Sequence, residues 1–96
     1  MIKVHLIKKD DQYISLEVVG HANYAEHGQD LVCAAVSAIV TGGFNAFNEN
    51  DINECSLKEG YASVNVISQR GLVILETIIV QLKTIENQYP KNIKIK

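Results

Sequence analysis

The chain opens with two alternating runs. In IKVHLIKK, residues 2–9, Ile2, Val4 and Leu6 share one face while Lys3 and His5 take the other. From Tyr13 onward, Ile14, Leu16 and Val18 alternate with Ser15, Glu17 and, at the run's end, His21. A period of two marks a half-buried strand, and the polar DDQ between the runs predicts a β-hairpin. From Ala22 to Gln29 no period is visible and Gly28 punctuates the stretch, which predicts a loop. From Asp30 to about Asn48 the positions Leu31, Ala34, Ala35, Ala38, Ile39 and Ala46 predict a helix, with Asp30 as its N-cap. Gly42 and Gly43 weaken that helix by ~1 kcal/mol each relative to alanine. Small residues there admit close approach by the sheet or by a second subunit.

DINECSLK, a turn at Glu59–Gly60 and YASVNVI predict a second hairpin. Leu72, Leu75, Ile79 and Leu82 fall at helical spacing, so Gly71 to Gln88 reads as a second helix that Pro90 ends. NIKIK alternates as a last strand. The order is β-β-α-β-β-α-β. Hairpins outnumber crossovers, so the expected fold is α+β, a mixed, mainly antiparallel five-stranded sheet with two packed helices. Ninety-six residues make one domain, 1–96.

Composition narrows the function classes. A chain that is 47% hydrophobic and 21% charged folds rather than remaining disordered. A net charge of −2 argues against a dedicated nucleic-acid binder, and the lysines of PKNIKIK fit a solvated strand edge, so no direct nucleic-acid partner is expected. No apolar run approaches the ~20 residues of a membrane span, so no membrane partner is expected. The opening MIKVHLIKKDD is too charged for a signal peptide, which makes the cytoplasm the expected compartment.

The chemistry concentrates between Gly20 and Val40. The two cysteines, Cys33 and Cys55, stand in unlike contexts and do not read as a disulfide framework. With Asp30 as N-cap, Cys33 becomes the third helical residue, beside the free amides and positive dipole end of the first turn. Helix N-termini lower cysteine pKa below the free value of ~8.5. The same amides can hold an oxyanion on a carbonyl that the sulfur attacks. His21, at the strand exit, can be brought beside the helix start by the intervening loop. Cysteine with histidine is the minimal constellation for thiol acyl transfer.

Blander readings stand beside this one. Cys33 can be a small buried hydrophobe, His21 a solvated side chain and Asp30 a simple cap. Ser37 and Thr41 continue a polar stripe from the sulfur, facing either a cleft or their own helix backbone. His27 reads as loop decoration, His5 as a strand-face residue and Cys55 as a strand-core thiol. His21, His27 and Cys33 also form H-x5-H-x5-C, three residue types that zinc accepts, but the spacing is no recognised ligand rhythm. No metal and no cofactor are expected. TGGF lies within the helix with no lysine after it and makes no phosphate cradle.

GHA, a short variable segment and then GQDLVCAAVSAI closely resemble the ribosomal-processing cysteine proteases of bacteria, the Prp family. The match falls on Gly20, His21, Gly28, Asp30, Val32, Cys33, Ala34, Ala35, Val36 and Ser37, ten positions in eighteen residues. Length and element order agree as well. The resemblance implies a cytoplasmic, homodimeric cysteine endopeptidase. Its substrate would be the N-terminal segment of a large-subunit ribosomal protein, number twenty-seven in the bacterial scheme, from which a short extension is removed. By position, His21 is then the catalytic base and Cys33 the nucleophile, with Asp30 and Ser37 supporting the site. The segment Ala22, Asn23, Tyr24, Ala25, Glu26, His27, Gly28 and Gln29 corresponds to a loop that moves aside for substrate. The family's substrates carry apolar, aromatic residues before the cut, which implies an apolar groove; Phe44, Phe47 or the partner subunit are candidates to line it. Two other functions compete: a non-catalytic module that clasps a ribosomal protein's tail, and a redox-sensing thiol.

Overall fold

The structure, a computed structural model, describes residues 1–20 and 27–96, with residues 27–30 described by their backbone alone. Strands β1 (Ile2–Lys9) and β2 (Gln12–Val19) form the first hairpin. Asp10 and Asp11 both take positive φ, 52° and 66°, the conformation of a tight two-residue turn whose twist suits the flanking strands. Helix α1 spans His27–Phe44, and a single 3-10 turn at Glu49–Asp51 leads into β3 (Ile52–Lys58) and β4 (Tyr61–Val66). Helix α2 (Gln69–Gln88) crosses back to β5 (Ile93–Ile95).

Among the described residues the strands form one five-stranded sheet in the order β3-β4-β2-β1-β5. All neighbours are antiparallel except β1 and β5, which run parallel because α2 separates β5 from the second hairpin. The predicted α+β class, element order and mixed sheet are therefore what the chain adopts.

One core unites both helices with one face of the sheet. Ile2, Val4, Leu16, Val18, Val64 and Ile93 supply the sheet side. Val32, Val36, Val40 and Phe44 recur every fourth residue and so form one row on α1, while α2 contributes Leu75, Ile78, Ile79 and Leu82. Gly43 lets the helices meet closely. A Cβ there would come within 2.5 Å of Ile78 Cδ1, so the small residue serves α2 rather than the sheet or a second subunit.

Helix α2 starts two residues earlier than its apolar period suggests, because Ser68 caps it: the Ser68 hydroxyl accepts the Gly71 amide at 2.8 Å. That hydroxyl in turn donates to Asp51 at 2.7 Å. The carboxylate of Asp51 is only 4% exposed, accepts the Asn48 amide at 2.7 Å and pairs with Arg70. Arg70 also donates to the Ala46 carbonyl at 3.0 Å. The Asn48 amide foremost, then the Ser68 hydroxyl and Arg70, hold the Asp51 carboxyl below its ordinary 3.8 despite burial. This knot pins the end of α1 to the start of α2.

Candidate active site

Helix α1 carries two rows of side chains. The row Val32, Val36, Val40 and Phe44 enters the core. The next row, turned by about 100°, is Cys33, Ser37 and Thr41, and all three line a groove of about 380 Å³. The stripe that continues from the sulfur thus faces a cleft. Cys33 is half-buried: its flank packs on the core while it also lines the open groove, so it is not a thiol sealed in hydrocarbon.

The far wall is the β3–β4 turn, from Leu57 to Ala62. Register places Leu57 opposite Ala62, on the face of the sheet that the helices cover. On this edge strand Leu57 remains 47% exposed. Ile2 and Val18 from the central strands complete the lining. Among the described residues Lys58 and Glu59 are the charged residues of the lining, both exposed at the hairpin end. An apolar trough with hydroxyl groups on one side and a charged rim suits an extended peptide carrying an apolar side chain.

Gly20 closes one end of the groove. Its φ is +94°, and a Cβ would sit 2.7 Å from the Met1 carbonyl oxygen, so both conformation and space require glycine. Its amide donates to the Gly60 carbonyl at 3.0 Å, which ties the end of β2 to the second hairpin. His21 lies outside the described residues, as do Ala22, Asn23, Tyr24, Ala25 and Glu26. The residue bonded directly to His21 is nonetheless fixed in the same groove as Cys33.

The helix start departs from expectation. α1 begins at His27, so the backbone of His27, Gly28 and Gln29 is helical rather than loop. Asp30 is the fourth helical residue and not the N-cap. Cys33 falls in the second turn, beyond the four residues whose amides lack partners within the helix. The polar HGQ stretch contains no apolar period, so nothing in the pattern announces this extra turn. Of the three residues weighed as zinc ligands, only Cys33 has a described side chain.

Two further expectations change. Phe44 is buried in the core, its ring 6.0 Å from that of half-buried Phe47, and neither lines the groove. Cys55 is exposed on edge strand β3 rather than in a strand core, and the desolvation it does undergo pushes its thiol above the ordinary 9.0. Sequence reasoning missed Ile2, Leu57 and the hairpin end as groove residues. Strand register alone brings them beside Cys33, and no local motif marks them.

Comparisons with known proteins point in a single direction. The family model described as "Cysteine protease Prp" matches residues 1–94. The ribosomal processing cysteine protease Prp of Bacillus subtilis is 36% identical, over 99% of this chain and 96% of its own length. A crystal structure of an essential ribosomal processing protease Prp from S. aureus with a substrate peptide superposes with a TM-score of 0.86 at 28% identity, covering 100% of this chain and 98% of that one. The same enzyme with a covalently linked product peptide gives a TM-score of 0.84 at 28% identity, with the same coverage.

Proposed function

This chain belongs to the Prp family of cysteine proteases, and from that membership we propose that it removes the N-terminal extension of the large-subunit ribosomal protein numbered twenty-seven. The observation that carries the reading is the groove: a half-buried cysteine on one wall, an apolar trough beneath it, and the neighbour of His21 at its end. The ribosomal substrate is supported by the names that its relatives carry, ribosomal processing proteases, one of them seen with a substrate peptide.

In the proposed cycle His21 takes the thiol proton of Cys33, and the sulfur attacks the scissile carbonyl carbon. The carbon–nitrogen bond breaks as His21 passes that proton to the leaving amine. Water, deprotonated by the same imidazole, then hydrolyses the thioester and frees the enzyme. Ser37 lies one turn along the helix on the groove side, where its hydroxyl serves bound peptide. Asp30, one turn before Cys33, supports the imidazole. Ala22 to Gln29 admits the substrate, its last three residues being the first of α1. No cofactor enters these steps.

We read the working unit as a cytoplasmic homodimer. Leu31, Ala34 and Ala38 stand exposed on α1, an apolar strip of the kind that a second subunit covers. Among the described residues no helix is long and apolar enough to cross a membrane. The net charge of −2 favours approach of a lysine-rich ribosomal tail.

The test is incubation with a peptide spanning the ribosomal protein's extension. One cut is expected, abolished in Cys33→Ala and in His21→Ala. Cleavage at the full rate by either variant overturns the assignment.

A further inference from the structure

Both helices cover the same face of the sheet, and among the described residues no element covers the other face. Register arranges its side chains in rows that cross all five strands. The row nearest the catalytic groove reads Lys94, Lys3, Val19, Tyr61 and Lys58, from β5 to β3. The next row holds His5, Glu17, Ser63 and Ser56. Lys96 extends it beyond His5, since its amide donates to the Val4 carbonyl and its carbonyl accepts the Leu6 amide, both at 2.9 Å. Behind these rows lies a depression of about 240 Å³ lined by His5, Ser15, Glu17, Glu54, Ser63 and Asn65, among others.

The charge on this face runs against that of the whole chain. Net charge is −2, yet the face carries Lys3, Lys58, Lys94 and Lys96 against Glu17 and Glu54. Lys3 and Lys94 are direct neighbours, an arrangement that repels. Among the described residues the only ion pair is Arg70–Asp51, so none of these lysines is ion-paired there; the nearby edge carboxylate, Glu86, accepts the Ile95 amide at 2.8 Å instead. The Glu17 and Glu54 carboxylates sit inside the depression. Glu17 accepts the Tyr61 hydroxyl at 3.0 Å, Glu54 accepts from the Asn65 side-chain amide at 3.4 Å, and the Lys58 ammonium lies 5.6 Å from the centre of the Tyr61 ring.

We propose that this open face binds a segment of single-stranded RNA. Phosphates lie on Lys3, Lys94 and Lys96, none of which is held in an ion pair among the described residues. Base edges enter the depression, where Glu17 and Glu54 accept from exocyclic amino groups and Ser63 and Asn65 supply further hydrogen bonds. Only unpaired bases can turn their edges into such a bowl, which selects single strands over duplex. Acceptors at the centre of the patch would repel an anionic membrane. The expectation of no nucleic-acid partner rested on net charge, which averages two faces of opposite character.

The experiment uses the full chain and fluorescence anisotropy of a fluorescein-labelled twelve-nucleotide oligocytidylate at low salt. Binding is expected, severalfold tighter than to oligouridylate, which lacks the amino group. The double variant Lys3→Glu, Lys94→Glu should bind at least about tenfold more weakly. Its log–log salt slope should fall by about 1.4, or about 0.7 for each phosphate that a lysine no longer neutralises. Its far-UV circular dichroism should be unchanged. Should that variant misfold, Lys3→Gln and Lys94→Gln each test the same lysines and should each weaken binding. No anisotropy rise with the unmodified chain, equal affinity of the charge variants, equal affinity for the two oligonucleotides, or preference for duplex overturns the proposal.

Discussion

Helices α1 and α2 rest on the same face of one sheet and are used in opposite ways. α2 buries Gly71, Leu75, Ile78, Ile79 and Leu82, starts on the Ser68 cap and is tied at its first turn to buried Asp51. α1 buries a single row and leaves the adjoining one, Cys33, Ser37 and Thr41, on an open groove. A helix engaged through a broad face leaves no surface for a substrate beside the core. A helix engaged through one narrow row is held firmly enough to present a thiol, with the next row still accessible. The fold thus divides its surfaces: α2 is committed to the core, while α1 shares itself between the core and the groove where the proposed nucleophile lies.

Substitutions on the two helices should separate these roles. Cys33→Ala is expected to lower peptide cleavage at least about a thousandfold while shifting the melting temperature little. Leu82→Ala, on the wholly buried face of α2, should do the reverse, costing about 2–5 kcal/mol of unfolding free energy in urea titrations and sparing turnover by the folded fraction. A Cys33→Ala variant that melts far below the parent would break the comparison, because the groove row would then be structural. Gly43→Ala acts where the helices touch. Forcing a methyl against Ile78 should cost about 1–3 kcal/mol, read by the same titration, with cleavage impaired only as α1 shifts. Ser68→Ala removes the cap of α2 and should cost about 1 kcal/mol.

The smallest expected effect is on pH dependence. Because the folded-state pKa of Asp51 is lowered, the stability it confers is complete above its ordinary 3.8 and is lost as pH falls through the lower folded value. Thermal melts between neutral and strongly acid pH should show that loss, and Asp51→Asn should flatten the acid limb. An unchanged acid limb in this variant would mean that the knot between the helices contributes nothing through its charge.

The strands and helices are legible in the sequence because their apolar positions repeat. Ile2 and Val4, Leu16 and Val18, and Leu75 with Ile79 and Leu82 all fall where their periods place them. The first turn of α1 is not legible, since His27, Gly28 and Gln29 hold no apolar residue to set a phase. Cys33 stands out through the residues around it, but its groove does not. Leu57 and Ile2 reach it through strand pairing between distant segments, and pairing leaves no signature in either segment. Phe44 misleads for a related reason: bulk and hydrophobicity are the same in a binding trough and in a core. Asp51 is only half legible: Asn48, three residues earlier, marks a local capping turn, but Ser68 and Arg70, its other partners, lie 17 and 19 residues further along the chain.

The parallel pairing of β5 with β1 bears on when the enzyme matures. Ile2 helps to line the groove, yet the outer border of its strand is completed only by Ile93, Lys94 and Ile95. Contacts between such remote segments form late, because closing a long loop costs entropy before any pairing rewards it. The groove that Ile2 helps to line thus gains the support of its outer strand only once β5, about ninety residues along the chain, has paired with β1.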